Sequence, residues 1–330
     1  MATITILAEE GCASSAITGI VDSLAVANLW RAIQGHSGTL FSCRIVTVDG
    51  KPVTANGSIE IKADCSIHEA QDSDMIILPG FLPPFDFSTE RIKAIGLWLR
   101  ERHLKGESIA AICTGSFILA ESGLLDGRNA TTNWQFAGEF GRKYPRVNLK
   151  ADEILVEDSG LICTGAASAF LNLCIEIIER YGSKELACLC SRSLLIDADR
   201  KSQAPYMIRD FFKGHADNRI LKAQQLMEKQ ISSPVCIDEI AGEVSLSPRH
   251  FKRRFKKATG DSPLAYLQNL RVETAKKHLE GGMDTVNEIA FMVGYEDVNS
   301  FRKVFKKIVG MPPKDYRAKF SAFSAQGLHN

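Results

Sequence analysis

Apolar positions along the first 195 or so residues follow two alternating periods. Residues 3–8, 41–48, 75–78 and 109–112 are short apolar or β-branched runs, the length of buried strands. Between them Ile17, Ile20, Val21, Leu24, Ala27 and Leu29 recur at helical spacing, as do Ile92, Ile95, Leu99 and Leu104 in residues 90–104. Strands of this kind separated by helices predict a parallel sheet covered on both faces. A hairpin is expected over 153–156 and 161–163, then two apolar helices, roughly 167–180 and 184–195. From 197 to 216 the rhythm breaks into polar residues with Pro205 and Gly214, which reads as a linker, partly packed. Beyond it the pattern is helical to about residue 320 without a convincing strand, and 321–330 read as a frayed tail. The domains expected are therefore 1–196, linker 197–216, 217–320 and the tail.

The helical half repeats itself. Ile237-Asp-Glu-Ile-Ala-Gly-Glu-Val244 matches Val286-Asn-Glu-Ile-Ala-Phe-Met-Val293, and Phe251-Lys-Arg-Arg-Phe-Lys-Lys257 matches Phe301-Arg-Lys-Val-Phe-Lys-Lys307. Gly260, Pro263 and Tyr266 match Gly310, Pro313 and Tyr316. Each copy reads helix, tight turn, helix. Ser247 is placed to cap the second helix with Pro248 at its first position, and Gly260 to end it. Phe251, Phe255 and Ala258 share one face; Arg249, Lys252, Arg253 and Lys256 share another. In the second copy Asp297 can cap, Phe301, Phe305 and Ile308 form the core face, and Asn299, Ser300, Arg302, Lys303 and Lys306 remain for solvent or a ligand.

Charge sharpens this picture. The net charge of +1 hides a split: 19 basic against 13 acidic residues over 216–330, and 21 against 26 over 1–215. A basic half suits a polyanion. A short helix with a row of basic and amide side chains, held by a preceding helix, suits a DNA major groove. Arg reads guanine bidentately and Asn reads adenine, while flanking lysines suit phosphates. The alternative is a solvated basic face, which two matching tandem copies make a poor explanation.

Composition excludes other classes. With 45% hydrophobic and 24% charged residues the chain can form a sizeable core. It has no run of about 18 apolar residues, so no membrane partner is expected. The N-terminus reads as a strand rather than a signal peptide. Nine scattered cysteines then read as reduced thiols in a cytoplasmic protein. No Gly-rich phosphate loop or metal-ligand spacing occurs, so neither cofactor nor metal is expected. Cys188-x-Cys190 on a helix puts its thiols on different faces, and Cys163-Thr-Gly after a hairpin strand reads as packing.

Residues 217–320 resemble the AraC/XylS-type DNA-binding domain, two helix-turn-helix units joined by a long helix. Pro263-Leu-Ala-Tyr-Leu-Gln-Asn-Leu-Arg271 resembles the joining helix, and Glu288-Ile-Ala-x3-Gly-Tyr295 with Gly310-x-Pro-Pro313-x2-Tyr316-Arg317 the signature of the second unit. The resemblance implies two recognition helices in successive major grooves of double-stranded DNA.

The apolar half carries one chemical feature. Ile109-Ala-Ala-Ile-Cys113-Thr-Gly-Ser-Phe-Ile-Leu-Ala120 runs from a buried strand straight into an apolar helix, the pattern of a nucleophile elbow. A thiol there feels the helix dipole, so a lowered pKa is expected. The backbone N–H of Thr114, with one near Gly80 and Phe81, is placed to form an oxyanion pocket. This segment, with Ala130-Thr-Thr-Asn133-Trp134 and Arg200-x2-Gln203-Ala-Pro, resembles the class I glutamine-amidotransferase-like, flavodoxin-like fold of PfpI/ThiJ proteins. More narrowly it resembles the GlxA-type regulators, which join that fold to an AraC-type domain.

The resemblance implies a homodimeric activator that meets RNA polymerase and answers a small-molecule effector, an amino acid or quaternary amine in other members. Catalysis, a ligand pocket in the old cleft, and a purely dimerising domain all remain open on sequence. The absence of a base in the motif favours the pocket: Thr occupies 114, Asn133 stands where the regulators commonly have His, and Ala16 where PfpI/ThiJ proteins often place Glu. His36, His68 and His103 lie far from Cys113 in sequence. The ligand-facing set expected is Gly80, Phe81, Cys113, Thr114, Asn133 and Trp134, with Trp134 also suited to the core. The rival reading is a Cys113-dependent amidase or glyoxalase-like enzyme with a DNA-binding tail.

Overall fold

The structure is a computed structural model and describes residues 1–84, 86–87, 89–209, 211 and 213–324. It divides into two compact units, Met1–Gln203 and Ala204–Asn330.

The first unit follows the alternating pattern. Its order is β1 (Ala2–Leu7), α1 (Ser14–Ile33), β2 (Phe41–Thr47), β3 (Val53–Ala55), β4 (Ile59–Ile61), β5 (Cys65–Ser66), β6 (Met75–Leu78), α2 (Glu90–Leu104), β7 (Ser108–Ile112), α3 (Gly115–Glu121), β8 (Asn129–Ala130), α4 (Ala137–Lys143), β9 (Asn148–Leu149), β10 (Leu155–Asp158), β11 (Leu161–Thr164), α5 (Phe170–Tyr181) and α6 (Lys184–Ser193). Seven strands form one sheet in the order β10-β11-β7-β6-β1-β2-β5. All its pairings are parallel except the hairpin β10–β11. The central strands are buried along their length because helices cover both faces. The chain leaves β1 toward β2 on one side and returns through β6 to β7 on the other. In open α/β sheets such a reversal is where a ligand crevice forms, which here falls at the carboxyl ends of β1 and β6, with β7 beside it.

Helix α1 has the length and mean hydropathy of a membrane span. Here it is a core helix: Ala16, Ile17, Ile20, Leu24 and Ala27 pack into the hydrophobic core.

The second unit is helical: α7 (Asn218–Lys229), α8 (Ile237–Glu243), α9 (Pro248–Thr259), α10 (Pro263–Gly281), α11 (Val286–Met292), α12 (Val298–Val309) and α13 (Pro313–Ser324). It has two small cores. Phe251 and Phe255 of α9 anchor one, and Phe301 and Phe305 of α12 the other, all fully buried. Helix α10 serves both, giving Tyr266, Leu267 and Leu270 to the first and Val272, Ala275 and Leu279 to the second.

The segment expected as a partly packed linker, 197–216, is divided between the two units. Residues up to Gln203 pack with the first unit, and Ala204–Tyr206 form a 3-10 turn in the second. Buried hydrogen bonds hold its first part: Gln203 Nε2 donates to the carbonyl oxygens of Ala151 (2.7 Å) and Thr132 (2.8 Å). The expected tail is shorter, since α13 continues to Ser324; the rest of it, 325–330, lies outside the described residues.

Candidate ligand site and DNA-reading surface

Cys113 sits where the crevice meets β7. It follows the last residue of β7, takes a positive φ of 57° and precedes α3. A non-glycine residue holds that conformation only under strong local restraint. Its N–H donates to the Thr164 carbonyl oxygen (3.1 Å). Its own carbonyl oxygen lies 2.9 Å from the Ser116 hydroxyl and 3.1 Å from that of Thr132, which are 2.8 Å apart. Gly115 must lack a side chain, because a Cβ there would stand 2.5 Å from the Pro79 carbonyl oxygen. The elbow therefore presses α3 directly against the end of β6.

Two expectations about this site are corrected. The thiol pKa is raised, not lowered: burial dominates, and hydrogen bonds from Asn133 and Thr114 only partly offset it. The helix dipole cannot compensate for a thiol that is only 6% exposed. The oxyanion pocket is also occupied from within. The Phe81 N–H donates to the Thr114 hydroxyl (2.6 Å), which donates back to the Phe81 carbonyl oxygen (2.8 Å). Thr114 thus consumes a donor that an oxyanion would need.

Asn133 faces the sulfur. Its Oδ1 accepts from the Gln135 N–H (3.0 Å), capping a short 3-10 turn at Trp134–Phe136, and its Nδ2 points at Cys113 Sγ (3.5 Å). An amide in this orientation donates; it has no means of taking the thiol proton. Trp134 is half-buried rather than a core residue. Gly80 lies against Cys113, its carbonyl oxygen accepting from the Ala13 N–H (2.8 Å). Phe81 packs edge to face on Phe87, which stacks on Phe117 of α3. The structure thus brings Gly80, Phe81, Cys113, Thr114 and Asn133 together, with Trp134 adjoining.

The other candidate residues scatter. Ala16 is buried in α1. His36 and His68 are exposed. His103 packs beside Gly160, ahead of β11, at the sheet edge opposite Cys113. Cys163 is fully buried with its pKa pushed up to about 12. Helix α6 buries Cys190 and exposes Cys188.

The second unit is built as two helix-turn-helix copies. Ser247 caps α9 by accepting from the His250 N–H (3.4 Å), with Pro248 at its first position and Gly260 left-handed at its end. Asp297 caps α12, accepting from the N–H groups of Asn299 (3.2 Å) and Ser300 (2.8 Å), and Gly310 ends it left-handed. With the phenylalanines turned inward, Arg249, Lys252, Arg253 and Lys256 on α9 are exposed, as are Asn299, Ser300, Arg302, Lys303 and Lys306 on α12. Several are already oriented. Lys252 pairs with Asp238 (3.3 Å), Arg253 meets His250 (2.7 Å), and Arg302 donates to Asn287 (3.1 Å). The Ser300 hydroxyl is engaged by Asp297 (2.7 Å). Arg254 does other work: it holds Asp217, the cap of α7.

Comparison with known proteins agrees with both geometries. The DJ-1/PfpI family profile matches residues 3–180. The chain belongs to the DJ-1/PfpI family. A helix-turn-helix domain profile matches residues 240–319. The HTH-type transcriptional regulator CdhR of Pseudomonas aeruginosa is 25% identical over 307 residues, covering 93% of this chain and 85% of that protein. The HTH-type transcriptional regulator GlxA of Rhizobium meliloti is 26% identical over 228 residues, covering 67% and 68%. A solved candidate transcriptional regulator of Vibrio parahaemolyticus superposes with a TM-score of 0.52 at 25% identity, covering 58% of this chain and 98% of that one.

Within this DJ-1/PfpI domain, sequence reasoning passed over Glu9. It is 6% exposed at the carboxyl end of β1 and pairs with Arg91 (2.9 Å) beside the crevice. The acidic pair Glu9-Glu10 directly after a strand was the available signal. Ser116 and Thr132 carried none, because only the fold brings their hydroxyls to the Cys113 carbonyl.

Proposed function

We infer that the chain is a sequence-specific, DNA-binding transcription regulator in which the DJ-1/PfpI unit senses a small molecule and the helix-turn-helix unit reads DNA. The observation that carries this reading is the paired arrangement of α9 and α12. Each turns two phenylalanines into a core and leaves a row of basic and amide side chains outward. On this reading Arg249 and Arg253 in one groove, and Asn299 and Lys303 in the next, contact bases, while Lys252, Lys256, Ser300, Arg302 and Lys306 meet the backbone. Two contact blocks lie about ten base pairs apart.

The ligand site proposed is the Cys113 crevice with Gly80, Phe81, Thr114, Asn133 and Trp134. Cys113 is assigned there as a pocket thiol. Its raised pKa and the amide facing its sulfur support binding over nucleophilic attack. The effector proposed is an amino acid or quaternary amine. The protein would act in the cytoplasm as a homodimeric activator that recruits RNA polymerase.

The test is selection of bound sequences from a random duplex pool, followed by variant affinities on the selected site. Arg253→Ala should cost roughly 1–3 kcal/mol and relax one base position. Lys256→Ala and Lys306→Ala should weaken all DNA alike and reduce the salt slope by about one each. Cys113→Ser should leave operator affinity largely intact. Failure to enrich any sequence, or full affinity in Arg253→Ala, defeats the assignment.

A further inference from the structure

The crevice of the first unit holds one charged group that the ligand site proposed above does not use. Glu9 lies two residues beyond the end of β1 and is only 6% exposed. One of its carboxylate oxygens is satisfied: Oε1 accepts from the Glu10 N–H (3.1 Å) and from Arg91 Nε (2.9 Å). The other, Oε2, is buried and has no hydrogen-bond partner among the described residues. A buried carboxylate loses its hydration on folding and is compensated only through donors. An oxygen left without one is a standing cost, and in a native fold such a cost calls for an explanation.

The carboxyl lies where the crevice falls. Arg91 stands in the first turn of α2, the helix that follows β6, so the Glu9–Arg91 pair joins the carboxyl ends of β1 and β6. The same loop reaches the Cys113 side. Cys12 pairs in an isolated antiparallel bridge with Phe81, the Ala13 N–H donates to the Gly80 carbonyl oxygen, and Gly80 lies against Cys113. The Cys12 thiol pKa is raised chiefly by burial, and the charge of Glu9 adds to it. Residues 9–13 thus connect Glu9 to the elbow along one wall of the crevice.

The charge balance favours a cation here. Arg91 is shared by Glu9 and, at 3.4 Å, by Asp49 beyond β2. Two carboxylates and one guanidinium leave one negative charge over. The unpartnered oxygen adds a directional demand: it needs a donor, not charge alone. A primary ammonium, guanidinium or amidinium group brings both a positive charge and an N–H. A quaternary ammonium group brings the charge without the N–H and would leave the oxygen unpaired.

We propose that Glu9 is the cation-recognition point of the first unit, and that the ligand it takes carries an N–H-bearing cation, as an amino acid does and a quaternary amine does not. Arg91, steadied by Asp49, fixes the carboxyl through Oε1, and Oε2 receives the N–H of the ligand. Arg91 and Asp49 are positioning residues in this scheme. The proposal rests on the reading of the Cys113 crevice as a ligand site, and it narrows the two effector classes proposed there to one.

Small probes separate charge from hydrogen bonding. Methylammonium and tetramethylammonium chlorides are titrated into the full chain at constant ionic strength, and the amide signals of residues 9–13, 80–81, 113–114 and 133 are followed by NMR. Methylammonium should give saturable shifts in the millimolar range, about the limit for so small a ligand, and tetramethylammonium should bind about tenfold or more weakly. Glu9→Gln keeps the shape, removes the charge and should weaken methylammonium about tenfold. Glu10→Gln removes the same charge from the exposed neighbour and should change the affinity by less than about twofold. Equal affinity for the two cations, or full methylammonium affinity in Glu9→Gln, overturns the proposal and leaves the crevice a site for other chemistry. Absence of any saturable shift up to about 50 mM means that Oε2 is met by water alone, and also overturns it. Should Glu9→Gln fail to fold, the comparison of the two cations on the unaltered chain decides the matter. Methylammonium binding by a chain that enriches no DNA sequence would refute the proposed function and leave this proposal standing.

Discussion

The two helix-turn-helix copies share a skeleton position by position and differ in how they are finished. The partners Ile240 and Ile289, Ala241 and Ala290, Phe251 and Phe301, and Phe255 and Phe305 are all buried in their respective cores. Even a brace across the turn recurs: Lys252 to Asp238 in the first copy, Arg302 to Asn287 in the second. The differences lie at turns and caps. The left-handed turn position is Ser245 (φ 55°) in one copy and Gly294 (φ 81°) in the other. Helix α11 opens with a capping box from Thr285 and Glu288, whereas the matching Cys236 gives α8 no side-chain cap. Ser247 caps α9 and Asp297 caps α12. Core volume is what both copies must match; local backbone solutions can vary as long as each N–H finds an acceptor.

The largest expected effect breaks the equivalence at the turn. A Cβ on Gly294 would stand 2.4 Å from the Ile231 carbonyl oxygen, in a conformation that disfavours any side chain. Gly294→Ala should cost roughly 2–4 kcal/mol in chemical denaturation. Ser245→Gly should stay within about 1 kcal/mol, because relief of strain and added unfolded-state entropy oppose each other. Equal losses in both would show that this turn position does not distinguish the two copies.

Next comes the missing cap. Cys236→Thr gives the first copy the Thr-x-x-Glu pattern, since Glu239 already stands where Glu288 does. It should stabilise the second unit by about 0.5–1 kcal/mol and slow exchange at the start of α8. No change would show that α8 is held by packing alone.

The smallest effect separates the copies by pH. The Asp297 carboxyl is held below its ordinary value, first by the Ser300 hydroxyl and then by the N–H groups of Ser300 and Asn299. A depressed folded-state pKa contributes stability that is present above the unfolded value, about 3.9, and lost as pH falls through the folded one. Ser247 does not titrate. Below about pH 4, amide exchange should therefore rise at the start of α12 before it does in α9. Asp297→Asn should keep the cap and abolish this difference.

How far the sequence was legible depended on the range of the interactions. Helix α2 spans Glu90–Leu104 as its periodicity predicts, because apolar spacing and a Thr89 cap are local signals. The small strands β3, β4, β8 and β9 escaped, since two or three residues carry no usable period. The elbow at Cys113 was visible as a strand running into a helix. Its chemistry was not, because a pKa depends on what surrounds the thiol.

By itself the sequence determined the two-part architecture, the repeat, the caps at Ser247 and Asp297, the Gly260 stop, and the outward row of basic residues. All follow from periodicity and backbone chemistry within one or two turns of chain. Tertiary structure alone decided that Thr114 fills the place of an oxyanion, that burial raises the Cys113 pKa, that Asn133 offers an amide to the sulfur, and that Gln203 belongs to the first unit. Each of these rests on groups 20 to 71 residues apart in the chain meeting in a low-dielectric interior. There desolvation and hydrogen-bond satisfaction outweigh any preference a short stretch of sequence can express.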